Sequence, residues 1–173
     1  QNMADFFRYN VKRGDTLVTL KDELELVDNY IYILNVRFSG EIHYEKEVDE
    51  SLLQIKVPSM ILQPIVENSV NYGIRNIDWG GQIMLSVGME GGCVQICIRD
   101  NGTGMLKEKI EQVMAGQTSE TSGETDSNGV GLNNVMQRLH LFFEGEEKFE
   151  ITSEGIGKGT QVYITLPYED ECT

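Results

Sequence analysis

Residues 62–74, LQPIVENSVNYGI, set an acid and two amides inside an otherwise apolar stretch: Glu67, Asn68 and, one turn on, Asn71. On a helix turning about 100° per residue, these share an arc with Pro64 and Arg75. The opposite arc carries Leu62, Ile65, Val66, Ser69, Val70 and Gly73 and can lie on a sheet. Unpaired polar groups are costly in a core, so the polar arc faces either solvent or something polar that the protein binds. A second group is RDNGTGM, residues 99–105. Asp100 ends an apolar strand, and Gly102 and Gly104 permit positive φ and a close approach of backbone to a ligand. The competing reading is a plain strand-ending turn, which Asp-Asn-Gly favours anyway. A third group is NGVGL, residues 128–132, where Gly129 and Gly131 directly precede a predicted helix. Backbone N–H groups at a helix start make a phosphate site; the alternative is a hinge.

These groups need elements to hold them. Thr19 and Asp22 have the spacing of a capping box, and Leu20, Leu24, Val27, Ile31, Leu34 and Phe38 then recur at helical spacing up to Gly40. That stripe fits a helix packed on its own domain or the end of a dimerising helical stalk. EIHYEKEV, residues 41–48, alternates as a strand with one solvated face. Pro58 is placed to open the helix that carries Asn68. Two strands then flank the turn at Glu90-Gly91-Gly92, with Val94, Ile96 and Ile98 on one face. A short helix over 106–114 follows, then a small-polar tract over 115–128 that cannot pack a core. A helix over 131–143 and a closing hairpin over 148–167 complete the chain. The sum is an α+β sandwich of about five mostly antiparallel strands and about four helices.

The chain has 173 residues, enough for one core, and Gln1 as its first residue points to a segment of something longer. Its formal charge of −14 repels a phosphate backbone and argues against nucleic acid. A polyanionic ligand would need a metal ion, backbone N–H groups or a few local cations. The three cysteines form no metal pattern. Cys93 and Cys97 lie about 13 Å apart along an extended strand, too far for a disulfide, and an odd unpaired set fits a reducing cytoplasm. No apolar run is long enough to span a membrane. GIGKGT, residues 155–160, echoes a phosphate-binding loop, but Gly159 interrupts the required Gly-Lys-Ser/Thr.

In order and spacing, LQPIVEN, DNGTG, GVGLNNVMQRL and GKGT resemble the motifs of the GHKL ATP-binding fold shared by DNA gyrases, heat-shock chaperones and histidine kinases. The likeness is greatest to sensor histidine kinases of the YesM-like group and covers roughly residues 15–167. It implies the GHKL (Bergerat) two-layer sandwich, with helices on one face of the sheet. It divides the chain into an N-terminal segment and stalk helix (1–38) and an ATP-binding catalytic domain (39–173). ATP and Mg²⁺ are the implied ligands. On the same resemblance Asn68 coordinates Mg²⁺, and Asp100 accepts a hydrogen bond from the adenine amino group, selecting ATP over GTP. Gly102 and Gly104 pack against the base, and Gly129, Gly131 and Leu132 seat the phosphates. Thr160 lies near the adenine end, and residues 106–128 form a lid.

The sequence departs from the group in two places. Asn71 and Tyr72 stand where a basic residue and a histidine are common, which leaves one phosphate contact to be supplied elsewhere, in part by Arg75. Pro64 stands where ATP-hydrolysing relatives carry a catalytic Glu, so hydrolysis by water is expected to be poor and transfer to another nucleophile favoured; Glu67 is the weaker candidate base. His43 and His140 do not resemble a phosphoacceptor, which the resemblance places on an upstream dimerisation domain. The implied partners are that domain and a downstream response regulator, in a membrane-anchored homodimer whose catalytic part is cytoplasmic. Alternatives on the same fold are a nucleotide-sensing pseudokinase and an anti-sigma serine kinase.

Overall fold

The computed structural model describes residues 17–38, 42–75, 77–116 and 127–168. Gly40, most of the small-polar tract and residues 1–16 lie outside them. A short strand β1 (Leu17–Thr19) leads into helix α1 (Leu20–Arg37), whose start carries the expected capping box. Asp22 N–H donates to Thr19 Oγ1 at 3.1 Å, and Thr19 N–H donates to Asp22 Oδ2 at 3.2 Å. The stripe Leu20, Leu24, Val27 and Ile31 is buried in the main core, with Leu34 partly buried against it. Phe38 is exposed, so the seam ends one turn earlier than its spacing suggests. Each buried aliphatic side chain of this kind contributes roughly 1.5–3 kcal/mol, which fastens α1 to the domain.

After α1 come β2 (Ile42–Val48), β3 (Lys56–Pro58), α2 (Gln63–Asn68), β4 (Gly81–Glu90) and β5 (Cys93–Asp100). Then follow α3 (Lys107–Met114), α4 (Ser127–Phe143), β6 (Lys148–Thr152) and β7 (Thr160–Pro167). The main sheet has the order β2-β4-β5-β7-β6, with β2 parallel to β4 and every other pair antiparallel. Alternate residues of its strands, among them Ile83, Leu85, Ile96, Ile98, Val162 and Ile164, are buried with the helices in one core. The other face, with Met84, Ser86, Cys97 and Tyr163, stays half-buried and carries no helix among the described residues. The expected two-layer sandwich with a mostly antiparallel five-stranded sheet is therefore observed.

Several expectations are corrected. Pro58 does not open a helix: it ends β3, which pairs antiparallel with β1 in a separate two-stranded sheet. The helix begins at Gln63, with Pro64 in its first turn. Beyond Asn68 it widens into a π-helical turn over Ser69–Ile74, closed by Arg75 N–H donating to the Val70 carbonyl at 3.0 Å. Helix α4 begins at Ser127, so Gly129 and Gly131 lie within its first turns and not ahead of them. The three cysteines are not an unpaired set: Cys97 is a free thiol, whereas Cys93 is disulfide-bonded, and the argument for a reducing compartment loses that support. The two histidines are surface residues, His43 beside Glu45 at 2.8 Å and His140 beside Glu147 at 3.1 Å.

Candidate functional site

At the C-terminal end of β5 the chain turns sharply through Asn101–Gly104 and is stitched to two other segments. Thr103 N–H donates to the Gly73 carbonyl and Thr103 Oγ1 to the Tyr72 carbonyl, both at 2.9 Å, tying the turn to the π segment. Gly157 N–H donates to the Thr103 carbonyl at 2.7 Å, and Gly159 N–H to the Gly102 carbonyl at 3.1 Å, tying it to the β6–β7 loop. Contacts this close leave no room for side chains. A Cβ on Gly102 would lie 2.2 Å from the Gly73 carbonyl carbon. One on Gly104, at φ +73°, would lie 2.1 Å from the Gly155 oxygen. Both glycines are thus required for the turn to pack on its own chain, a role distinct from contact with a base.

Between these segments lies a cavity of about 310 Å³ lined by Asn68, Tyr72, Gly73, Asp100, Thr103, Gly104, Met105, Leu106, Lys109, Ile156 and Thr160. The elements bring together Asn68 from α2, Asp100 from the end of β5 and Thr160 from the start of β7, directly opposite Asp100 in the ladder. A larger concavity of about 580 Å³ on the open sheet face is lined by Glu47, Asp49 and Glu90 with no Lys or Arg, and it does not suit an anion.

Asp100 is buried, and its Oδ1 accepts hydrogen bonds from Gly102 N–H at 2.9 Å and Thr160 N–H at 3.3 Å. Burial pushes its carboxyl above the ordinary value, opposed by these two bonds and by the Ser69 side chain. Gly73 gives the carboxylate its space, since a Cβ there would meet Oδ1 at 3.1 Å. A buried carboxylate fixed by backbone donors and open to a cavity is a directed acceptor for an N–H group. Across the cavity Asn68 Oδ1 is buried and has no hydrogen-bond partner. A native structure leaves few such atoms without reason, and an amide oxygen suits a hard cation. No group of His, Cys, Asp or Glu among the described residues could hold a metal unaided. A cation beside Asn68 would therefore need further oxygens from a ligand such as a polyphosphate.

The remaining candidates are distributed more widely. Tyr72 lines the cavity. Glu67 does not; it accepts from Gln63 Nε2 at 2.9 Å, and its charge acts on Tyr30 of α1. Asn71 and Arg75 are exposed and also off the lining. Leu132 is buried in the core, and a Cβ on Gly131 would meet nothing within 4 Å. Residues that sequence reasoning missed are Ser69, Thr103, Lys109 and Ile156. Ile156 sits in the GIGKGT loop set aside as a false phosphate loop, and among the described residues Lys109 is the only lysine or arginine on the lining.

The model of the family of histidine kinase-, DNA gyrase B- and HSP90-like ATPases matches residues 54–170, and that of a histidine kinase family matches residues 1–42. The chain is 32% identical over 169 residues to the sensor protein LytS of Oceanobacillus iheyensis, covering 97% of this chain and 28% of that protein. It is 28% identical over 171 residues to the sensor histidine kinase YesM of Bacillus subtilis, covering 99% of this chain and 27% of that protein. The chain thus spans little more than a quarter of these relatives' length. Among solved structures, the catalytic domain of histidine kinase ThkA aligns with a TM-score of 0.61 at 16% identity, over 88% of this chain and 98% of that one. The mycobacterial sensor histidine kinase MprB aligns at 0.59 and 15%, over 88% and 97%. These last two likenesses bear on the fold alone.

Proposed function

Because the chain belongs to the family of histidine kinase-, DNA gyrase B- and HSP90-like ATPases, we propose that the cavity between Asn68 and Asp100 binds Mg-ATP and presents its γ-phosphate to a histidine on an upstream domain. The observation that carries this reading is the unpartnered, buried Oδ1 of Asn68, a residue that lines the same cavity as the backbone-fixed Asp100 carboxylate. Asp100 accepts from the adenine amino group, which ATP has and GTP lacks. Asn68 would hold Mg²⁺ through its amide oxygen, and the cation would supply charge neutralisation at the phosphates. Lys109 is the cation placed to offset the acidity of the whole chain at the phosphate end. Gly129 lies in the first turn of α4, where N–H groups lack helical partners and attract phosphate, and Gly131, in the next turn, leaves the helix surface open for its approach.

In the transfer step the bond from the γ-phosphorus to the bridging oxygen breaks, a bond to an imidazole nitrogen forms, and ADP leaves. With Pro64 in place of an acid, that position of α2 cannot activate water, which favours transfer over hydrolysis. The acceptor histidine, the dimer interface and the membrane anchor belong to the longer protein, with this domain on its cytoplasmic side and a response regulator as the next acceptor. The outer face of α1 supports a neighbouring helical domain: Tyr32, Ile33 and Val36 are 71%, 63% and 68% exposed. No helix among the described residues is long and apolar enough to cross a membrane.

A calorimetric titration of this chain tests the reading. ATP is expected to bind and GTP to bind at least tenfold more weakly, about 1.4 kcal/mol for one directed hydrogen bond. Asn68→Ala is expected to remove the gain in ATP affinity that Mg²⁺ gives while sparing metal-free binding. Equal affinities for ATP and GTP would refute the role given to Asp100, and no binding of either would refute the site.

A further inference from the structure

Two acids among the described residues are buried: Asp100, at the cavity, and Glu23, on α1. Glu23 is 0% exposed, and its carboxylate lies at the other end of the helix that carries Asn68. Its Oε1 accepts from Met60 N–H at 2.5 Å, and its Oε2 from Ile61 and Leu62 N–H, both at 3.3 Å. Met60 adopts φ +60°, a strained value for a residue with a side chain, in the run whose consecutive N–H groups converge on the carboxylate. Helix α2 has no side-chain cap of its own: Leu62 precedes it in helical conformation and offers no acceptor. The same run is gripped from the other side, where Arg138 Nη1 on α4 donates to the Ser59 carbonyl at 2.6 Å. The Arg138 charge also acts on Glu23.

A local Ser or Asp at position 62 would satisfy the start of α2 without burying a charge. Here the acceptor comes instead from a helix 37 to 39 residues away, at the cost of desolvating a carboxylate. What this arrangement adds is a tie between elements. Building on the nucleotide reading above, we infer that Glu23 is a positioning residue for Asn68, fixing the start of α2 to α1 so that a shift of α1 is transmitted to the cation end of the site. Glu23 makes no bond to the adenine end, which meets this tie only beyond Asn68, where Ser69 and Gly73 pack on Asp100 and Thr103. Displacing α1 therefore acts first on cation-assisted binding, at Asn68, and less on the base contact.

The test is a titration of the whole chain, wild type and Glu23→Gln, with ATP in the presence and absence of Mg²⁺ and with metal-free ADP. The variant keeps the side-chain length but replaces one acceptor oxygen by a donor that faces N–H groups. It is expected to lose about tenfold of the Mg²⁺-dependent gain, as groups supporting a metal ligand do. Its affinity for metal-free ADP should stay within about twofold of wild type, which a general loss of structure would not leave intact. A Glu23→Gln protein that keeps the full Mg²⁺ gain overturns the inference. Failure of the wild type to gain affinity with Mg²⁺ would instead remove the nucleotide reading, so the two failures are distinct. If Glu23→Gln does not fold, hydrogen exchange of the wild type decides: Mg-ATP is expected to slow exchange at the amides of Met60, Ile61 and Leu62 more than metal-free ADP does. Equal protection by the two ligands overturns the inference.

Discussion

Asp100 shows how one carboxylate can serve binding at the expense of stability. Burial raises its carboxyl above the ordinary value, so the folded state favours the protonated form. That contribution is fully present below the ordinary carboxylate range and is lost as pH rises through the raised value. In Asp100→Asn the amide oxygen can still accept from Gly102 and Thr160, and no charge is buried. The variant is expected to melt at or above the wild-type temperature at pH 7, with its advantage shrinking toward pH 4. Its ATP affinity should fall roughly 10- to 100-fold, the equivalent of losing a hydrogen bond to a charged group. Thermal melts at the two pH values, with a parallel titration, check both halves. Asp100 and Asn68 were legible as polar residues in apolar settings. Glu23 was not, because in sequence it sits amid other charges near a helix start, and its partners lie almost forty residues on.

At the scale of elements, the two glycine groups that look alike in sequence differ in structure. Gly102→Ala forces a Cβ into the Gly73 backbone and is expected to destabilise the chain by about 3 kcal/mol in urea unfolding, the upper end for overpacking. Gly131→Ala meets open space inside a helix and is expected to stabilise by up to about 1 kcal/mol. Lower ATP affinity in that second variant, despite its gain in stability, would place phosphate against the backbone of α4. Elements with strong local signals were read correctly: the capping box of α1, the β4–β5 hairpin and α3. The errors fall where tertiary partners override local pattern. The strand β3 is three residues long, too short for a period-two signal, and exists because β1 pairs with it. The π turn adds a residue to each turn beyond Asn68, so a 3.6-residue wheel drifts there. It still sorted Ser69 and Val70 inward and Asn71 outward, because the drift over one turn is small.

For the whole molecule, net charge is the dominant long-range term. At −14 the chain repels metal-free ATP, and among the described residues Lys109 alone of those lining the cavity is a lysine or arginine. Raising ionic strength from about 0.01 M to about 0.15 M shortens the screening length from roughly 30 Å to 8 Å. The association rate of metal-free ATP is therefore expected to rise with salt, opposite to a site on a basic surface. Stopped-flow mixing at the two salt levels gives the sign directly; a rate that falls would mean that the local field at Lys109 outweighs the charge of the chain.

Trp79 is the only tryptophan in the chain, and its indole N–H donates to the Asn101 carbonyl at 2.8 Å, one residue beyond Asp100. Asn101 in turn bridges the Gly80 carbonyl and the Gln82 N–H through its side chain. With that ring 47% exposed and bonded to the turn that borders the cavity, the protein carries its own emission reporter. Occupancy beside Asp100 can be followed by tryptophan fluorescence, with no dye attached and no second tryptophan to subtract.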